Sequence, residues 1–207
     1  CDRAAAAPAL YRARRAVIVG DPMQLRHVTF LSRAMEGAAF ARYDIPSYMQ
    51  ITHSFRRSLF DVAQDHAEHA ATFLLDEHFR SVPSIIRFPA DRFYRGELRI
   101  MTERPENESV NAVRVVYADS PRDSITGPNT GEAHRVIELV RTLMREEPGA
   151  SIGILSPFRT QVDLLRQLVA QVFTPSEMEE RGLVVGTAHV LQGDERDIVV
   201  VSLALDA

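Results

Sequence analysis

The densest run of chemistry-bearing side chains is Gln192-Gly193-Asp194-Glu195-Arg196-Asp197. It lies between two short apolar runs, residues 183–185 and 198–201, which are rich in β-branched residues and do not alternate. That is the pattern of strands buried on both faces of a parallel sheet. Six polar residues in a row are too polar for the sheet interior and are expected at its rim. In an open parallel sheet, ligands bind just outside the carboxyl ends of the strands. A second stretch, Gly20-Asp21-Pro22, follows the apolar residues 16–19 and sets a carboxylate on a tight turn at a sheet edge. Asp65, His66 and His69 bring two imidazoles and a carboxylate onto one helix. No third ligand has suitable spacing, so a solvated helix face is expected there rather than a metal site.

Composition narrows the chemistry further. All 24 residues counted as Lys+Arg are arginine, so the chain contains neither a Walker A lysine nor a Schiff-base lysine. A single cysteine, Cys1, excludes an internal disulfide and a cysteine-rich zinc site. The net charge of -4 offers no global attraction to nucleic acid, so binding of that kind needs a local basic groove. At 207 residues, with 45% hydrophobic and 25% charged, the chain reads as an ordinary soluble globular protein with one good core, or one domain plus part of another. No apolar run reaches the length of a membrane span and no basic leader precedes one, so a cytoplasmic protein without a membrane partner is expected.

The elements that must position these residues alternate. An alanine-rich helix runs to Leu10, a strand is expected over 16–19, and residues 26–57 read as a connector with short helices. A helix over 59–71 follows. Ser81-Val82-Pro83-Ser84 opens another helix, with serine as the cap and proline in the first turn. Residues 102–111 read as a loop and 113–117 as a strand. Residues 131–147 form an amphipathic helix with Ala133, Val136, Ile137, Val140 and Leu143 on one face. A buried strand over 152–155, a helix over 162–172 and an acidic segment over 177–181 lead to the final pair of strands. From residue 113 onward this is the rhythm of an α/β fold, a three-layer αβα domain with a mostly parallel sheet.

Four blocks in this order resemble the motifs of superfamily 1 helicases of the Upf-like group, and together they span nearly the whole chain. Val19-Gly20-Asp21-Pro22-Met23-Gln24-Leu25 resembles motif III. Glu77-His78-Phe79-Arg80-Ser81-Val82-Pro83, with Phe93-Tyr94-Arg95-Gly96-Glu97-Leu98 after it, resembles motif IV and its flank. Ile154-Leu155-Ser156-Pro157-Phe158-Arg159-Thr160-Gln161 resembles the segment that opens the next helix of the second RecA-like domain. Gly186-Thr187-Ala188-His189-Val190-Leu191-Gln192-Gly193-Asp194-Glu195-Arg196-Asp197 resembles motif V.

The resemblance implies a RecA-like, P-loop NTPase-type fold, with ATP and Mg2+ used in the full-length enzyme and single-stranded DNA or RNA as partner. By the same resemblance Arg80 is an arginine finger and Gln24 senses the γ-phosphate, the two catalytic assignments. Asp21 holds the loop of Gln24 or a magnesium-bound water. Phe79 packs on the base, Gln192 and Gly193 shape the nucleotide side of motif V, and Glu195 accepts from the ribose hydroxyls. Thr187, His189, Phe158 and Arg159 lie along the nucleic-acid path. Core packing is the alternative for both aromatics. Travel from 5′ to 3′ is implied by the resemblance alone.

Walker A, Walker B and motif VI are absent from these residues. Residues 1–45 then read as a remnant of the first RecA-like domain and 46–207 as the second, truncated before motif VI. Such a piece is expected to be inactive by itself and to lack its first RecA-like domain in cis. Residues 1–45 are expected to be disordered, packed on the second domain or exchanged with another copy in self-association. The alternatives are a catalytically silent RecA-like module that binds nucleic acid or a partner, and a nucleotide-binding α/β protein that moves no strand.

Overall fold

The structure, a computed structural model, describes residues 3–25, 31–53, 57–67 and 71–205. The chain divides into two compact units, Cys1–Arg114 and Val115–Ala207.

The first unit begins with α1 (Arg3–Arg12), α2 (Arg33–Arg42) and α3 (Ser47–His53). The connector over 26–57 thus carries the short helices expected of it. Helix α4 (Leu59–His66) is opened by a capping box: Ser58 Oγ accepts the Asp61 N–H at 3.1 Å and Asp61 Oδ2 accepts the Ser58 N–H at 2.8 Å. It ends at His66, whose Nδ1–H donates to the Val62 carbonyl at 2.8 Å. Residues 68–70, including His69, lie outside the described ones.

Strand β1 (Glu77–His78), helix α5 (Pro83–Tyr94) and strand β2 (Arg99–Ile100) then form a βαβ unit, with Glu77 paired to Arg99 and His78 to Ile100 in parallel. Pro83 is the first helical residue and Val82 the N-cap, so Ser81 does not cap α5 as expected. Its own backbone N–H is instead taken by His78 Nε2 at 2.8 Å. The last element of this unit is a single turn, α6 (Pro105–Glu108), inside the expected loop.

The second unit contains α7 (Thr130–Glu146), β3 (Ile152–Leu155), α8 (Arg159–Val172), α9 (Pro175–Glu180), β4 (Val184–Gly186), α10 (Ala188–Leu191) and β5 (Ile198–Val201). Its three strands are parallel, in the order β4-β3-β5. Ile152 and Ile154, both 0% exposed, point to one face of β3, where they join Val136, Ile137 and Val140 of α7 and Leu165 and Val169 of α8. Burial of each such side chain contributes about 1.5–3 kcal/mol before entropy is charged against it. The other face of β3 carries Gly153, where a Cβ would meet Leu191 and the stem of Arg196 at 3.7 and 3.3 Å. Helices α7 and α8 thus cover one face, and on the other the short α10 approaches Gly153 while Val199 and Val201 of β5 stay 49% and 51% exposed; helices on a parallel sheet are consistent with the αβα class of a RecA-like P-loop fold.

Two expected strands are not formed. Residues 16–20 pair with no strand among the described residues, and Val17 and Val19 are 92% and 80% exposed. Residues 113–117 likewise lack pairing, with Val115 70% and Tyr117 90% exposed. Their β-branched composition suits a pleated, half-buried surface, but strand propensity is realised only against a neighbour.

Candidate functional site

In the first unit the chain approaches α4 at Gly20, where a Cβ would lie 2.6 Å from the ring of Phe60. Only glycine allows the backbone that close. The next residue, half-buried Asp21, organises the loop: its Oδ1 accepts the Met23 N–H at 2.9 Å and its Oδ2 accepts the side-chain amide of Gln24 at 3.0 Å. Asp21 thus bonds the backbone and the Gln24 side chain of its own turn. A third donor sequence reasoning assigned no role: Tyr94, in the last turn of α5, donates its hydroxyl to Asp21 Oδ2 at 2.6 Å. Burial, then that hydrogen bond and the carboxylate charge, push the Tyr94 phenol up to about 12, so it stays a donor.

Phe79 and Arg80 occupy the turn that leaves the carboxyl end of β1 and leads into α5. Met101 N–H donates to the His78 carbonyl at 2.9 Å and Thr102 Oγ1 to the Ser81 carbonyl at 2.6 Å, which fixes both sides of the turn. Burial first, and the nearby Arg80 charge second, hold the His78 imidazole below its ordinary range. A neutral His78 matches its acceptance of the Ser81 N–H through Nε2. Phe79 is 66% exposed, so it is not packed in a core, and Arg80 is exposed as well. The structure does not join Arg80 to Gln24: they belong to opposite ends of α5, a rod of 12 residues and about 18 Å.

In the second unit the carboxyl ends of the strands converge. Ser156 N–H donates to the Gly186 carbonyl at 3.1 Å and Ser202 N–H to the Leu155 carbonyl at 2.8 Å. Beneath this rim lies a buried polar cluster. Gln161 Oε1 accepts the Asn129 N–H at 2.8 Å, and Gln161 Nε2 donates to the Asn129 carbonyl at 3.2 Å and to Ser202 Oγ at 3.0 Å. Ser202 Oγ in turn donates to Glu132 Oε1 at 2.6 Å. Gln161, Asn129 and Ser202 are all 0% exposed, and their mutual bonds supply what water cannot. Phe158 and Arg159 start α8 on this rim. Arg122 stacks over the Phe158 ring at 4.3 Å, and it is a residue no sequence motif singled out.

Thr187 leaves the carboxyl end of β4 as the N-cap of α10, and His189 is exposed on that helix. The turn is tight because a Cβ on Gly186 would sit 2.6 Å from Val190. Gln192, Gly193 and Glu195 follow, all exposed, with Gly193 at a φ of 82° that favours glycine.

The expectation that the whole run 192–197 lies at the carboxyl rim is corrected here. Asp197 Oδ2 accepts the Ser151 N–H at 2.8 Å and its hydroxyl at 2.7 Å, and Arg196 Nε donates to the Gly182 carbonyl at 2.8 Å. Ser151 and Gly182 precede β3 and β4, so this end of the run lies at the amino ends of the strands. Parallel topology requires it, since a segment feeding a parallel strand must return to that strand's start. Hydrogen bonds from Arg196 and the Glu195 backbone hold the Asp194 carboxyl below the usual carboxylate range, and Ser151 does the same for Asp197. Thr187 and the Glu195 segment thus serve opposite ends of one sheet.

Comparison with known proteins fits this geometry. A family model described as an AAA domain matches residues 55–205. The chain belongs to that family. It is 28% identical over 213 aligned residues to Helicase SEN1 of Saccharomyces cerevisiae, covering 94% of this chain and 9% of that protein. It is 27% identical to an uncharacterized ATP-dependent helicase MG140 homolog of Mycoplasma pneumoniae, covering 97% of this chain and 18% of that protein. A probable helicase with zinc finger domain of Homo sapiens is 27% identical over 73% of this chain and 8% of its own length. The chain therefore spans less than a fifth of these relatives, and its resemblance to superfamily 1 helicases of the Upf-like group is borne out.

Proposed function

We propose that these residues serve an ATP-dependent helicase that couples ATP hydrolysis to movement along single-stranded DNA or RNA. In that reading residues 1–45 belong to the first RecA-like domain and 46–207 to the second. The observation that carries it is the position of Arg80. An exposed guanidinium on the turn after a parallel strand, within the matched family region, stands where parallel sheets present their ligand-binding groups.

Taken one by one, the groups suit the flank of a nucleotide rather than its phosphate cradle. In the first unit Arg80 and Gln24 can donate to phosphate oxygens and Phe79 offers an exposed ring to a base; in the second, Glu195 can accept from ribose hydroxyls. The lysine and glycine-rich loop that would cradle the triphosphate are not among these residues. Mg2+ would neutralise charge on the phosphates, and with Asp21 engaged by three donors its protein ligands belong with that cradle. On the other side Thr187, His189, Phe158 and Arg159 meet the strand through hydroxyl, imidazole, ring and guanidinium groups that hold backbone and bases without reading sequence.

The 207 residues alone are expected to show no ATP turnover above background. The test is a protein whose first RecA-like domain supplies the phosphate-binding loop and an Asp-Glu pair upstream of Cys1. Nucleic-acid-stimulated turnover there supports the helicase. Binding of single strands without turnover would instead support the silent module, and robust turnover by the 207 residues alone would contradict the division of labour.

A further inference from the structure

Half-buried Tyr94 closes α5, 73 positions along the chain from Asp21, yet its hydroxyl donates to the same carboxylate oxygen that receives the Gln24 amide. Asp21 accepts from three donors: the Met23 backbone on Oδ1, and Gln24 and Tyr94 on Oδ2. Of these three only Tyr94 comes from outside the turn that holds Asp21. The hydroxyl supplies an external reference, and α5 carries that reference to the turn holding Phe79 and Arg80 at its other end.

We propose that Tyr94 is a positioning residue for Gln24, its hydroxyl fixing the Asp21 carboxylate so that the Gln24 amide is presented in register with the helix that carries Arg80. The inference rests on the reading of Gln24 and Arg80 as phosphate-responsive groups and adds the device that ties them to one helix. A charge-assisted bond between a phenol and a carboxylate is among the stronger hydrogen bonds available to such a link. Because the phenol is held at about 12, it remains a donor across the working range of pH.

The test uses Tyr94→Phe, which removes one hydroxyl and keeps the ring. In the isotope-labelled 207-residue chain, the side-chain amide resonances of Gln24 are expected to shift or broaden in this variant. In the intact enzyme, Tyr94→Phe is expected to lower kcat of nucleic-acid-stimulated ATP hydrolysis about ten-fold, the size of one such bond lost in the transition state. KM for ATP is expected to stay within about two-fold. On a Gln24→Ala background the same substitution is expected to change kcat by less than about two-fold, because the amide it positions is gone. A merely structural tyrosine would give additive losses in that cycle, which overturns the proposal, as does unchanged kcat in Tyr94→Phe when Gln24→Ala is impaired. Full activity in both Arg80→Ala and Gln24→Ala would overturn the underlying reading, and the functional role of Tyr94 with it.

Discussion

Single residues set the local geometry around Arg80 and Asp21 in the first unit. His78 is held neutral by burial and by Arg80, and its ring nitrogen pins the Ser81 N–H in the turn that presents the guanidinium. Its folded-state value lies below the 6.5 of a free imidazole, so between the two values the unfolded chain binds a proton that the folded chain does not. The stabilisation is complete above 6.5 and is lost as pH falls through the folded value. Denaturant melts from about pH 8 to about pH 5 are expected to fall more steeply for the wild type than for His78→Gln. Parallel curves would show that His78 does not titrate differently on folding. Gly20 acts through space alone: Gly20→Ala forces the Phe60 ring aside and is expected to cost about 1–3 kcal/mol in a thermal or urea melt. A substitution without measurable cost would mean that the loop does not depend on that close approach.

Strands β4 and β5 were legible because each lies in a short β-branched run without alternation, and the buried face of α7 because Ala133, Val136, Ile137 and Val140 recur at helical spacing. Helix α9 rests on a local signal of its own: Thr174 and Glu177 form a capping box around Pro175, which turns an acidic segment into a helix. Residues 16–19 and 113–117 have the composition of strands and fail for a reason no local pattern reveals: among the described residues no strand pairs with them. Motif V was legible as residues but not as a path, because its crossing from the carboxyl to the amino ends follows from parallel connectivity rather than from side chains.

Gln161 belongs to this scale as well, since one amide ties α7, α8 and the end of β5 together. Gln161→Leu takes from the buried Asn129 N–H its acceptor, while the Asn129 carbonyl keeps the Ala133 N–H, and is expected to destabilise the chain by about 1–3 kcal/mol in urea melts. A loss below about 0.5 kcal/mol, the range of ordinary surface substitutions, would show that the cluster does not lock the rim.

For the whole molecule, a net charge of -4 confines any affinity for nucleic acid to local groups, in keeping with Arg159, Arg122 and Thr187 at one rim. The family match and the relatives' names agree with a helicase, and the 207 residues contain no lysine. In the proposed reading the chain contributes to hydrolysis through Arg80. Nucleic-acid-stimulated ATP turnover by the intact protein, compared between wild type and Arg80→Ala at matched thermal stability, measures this directly. An arginine that reaches the transferring phosphoryl group predicts a loss of about a thousand-fold in kcat. Wild-type turnover by Arg80→Ala would contradict it.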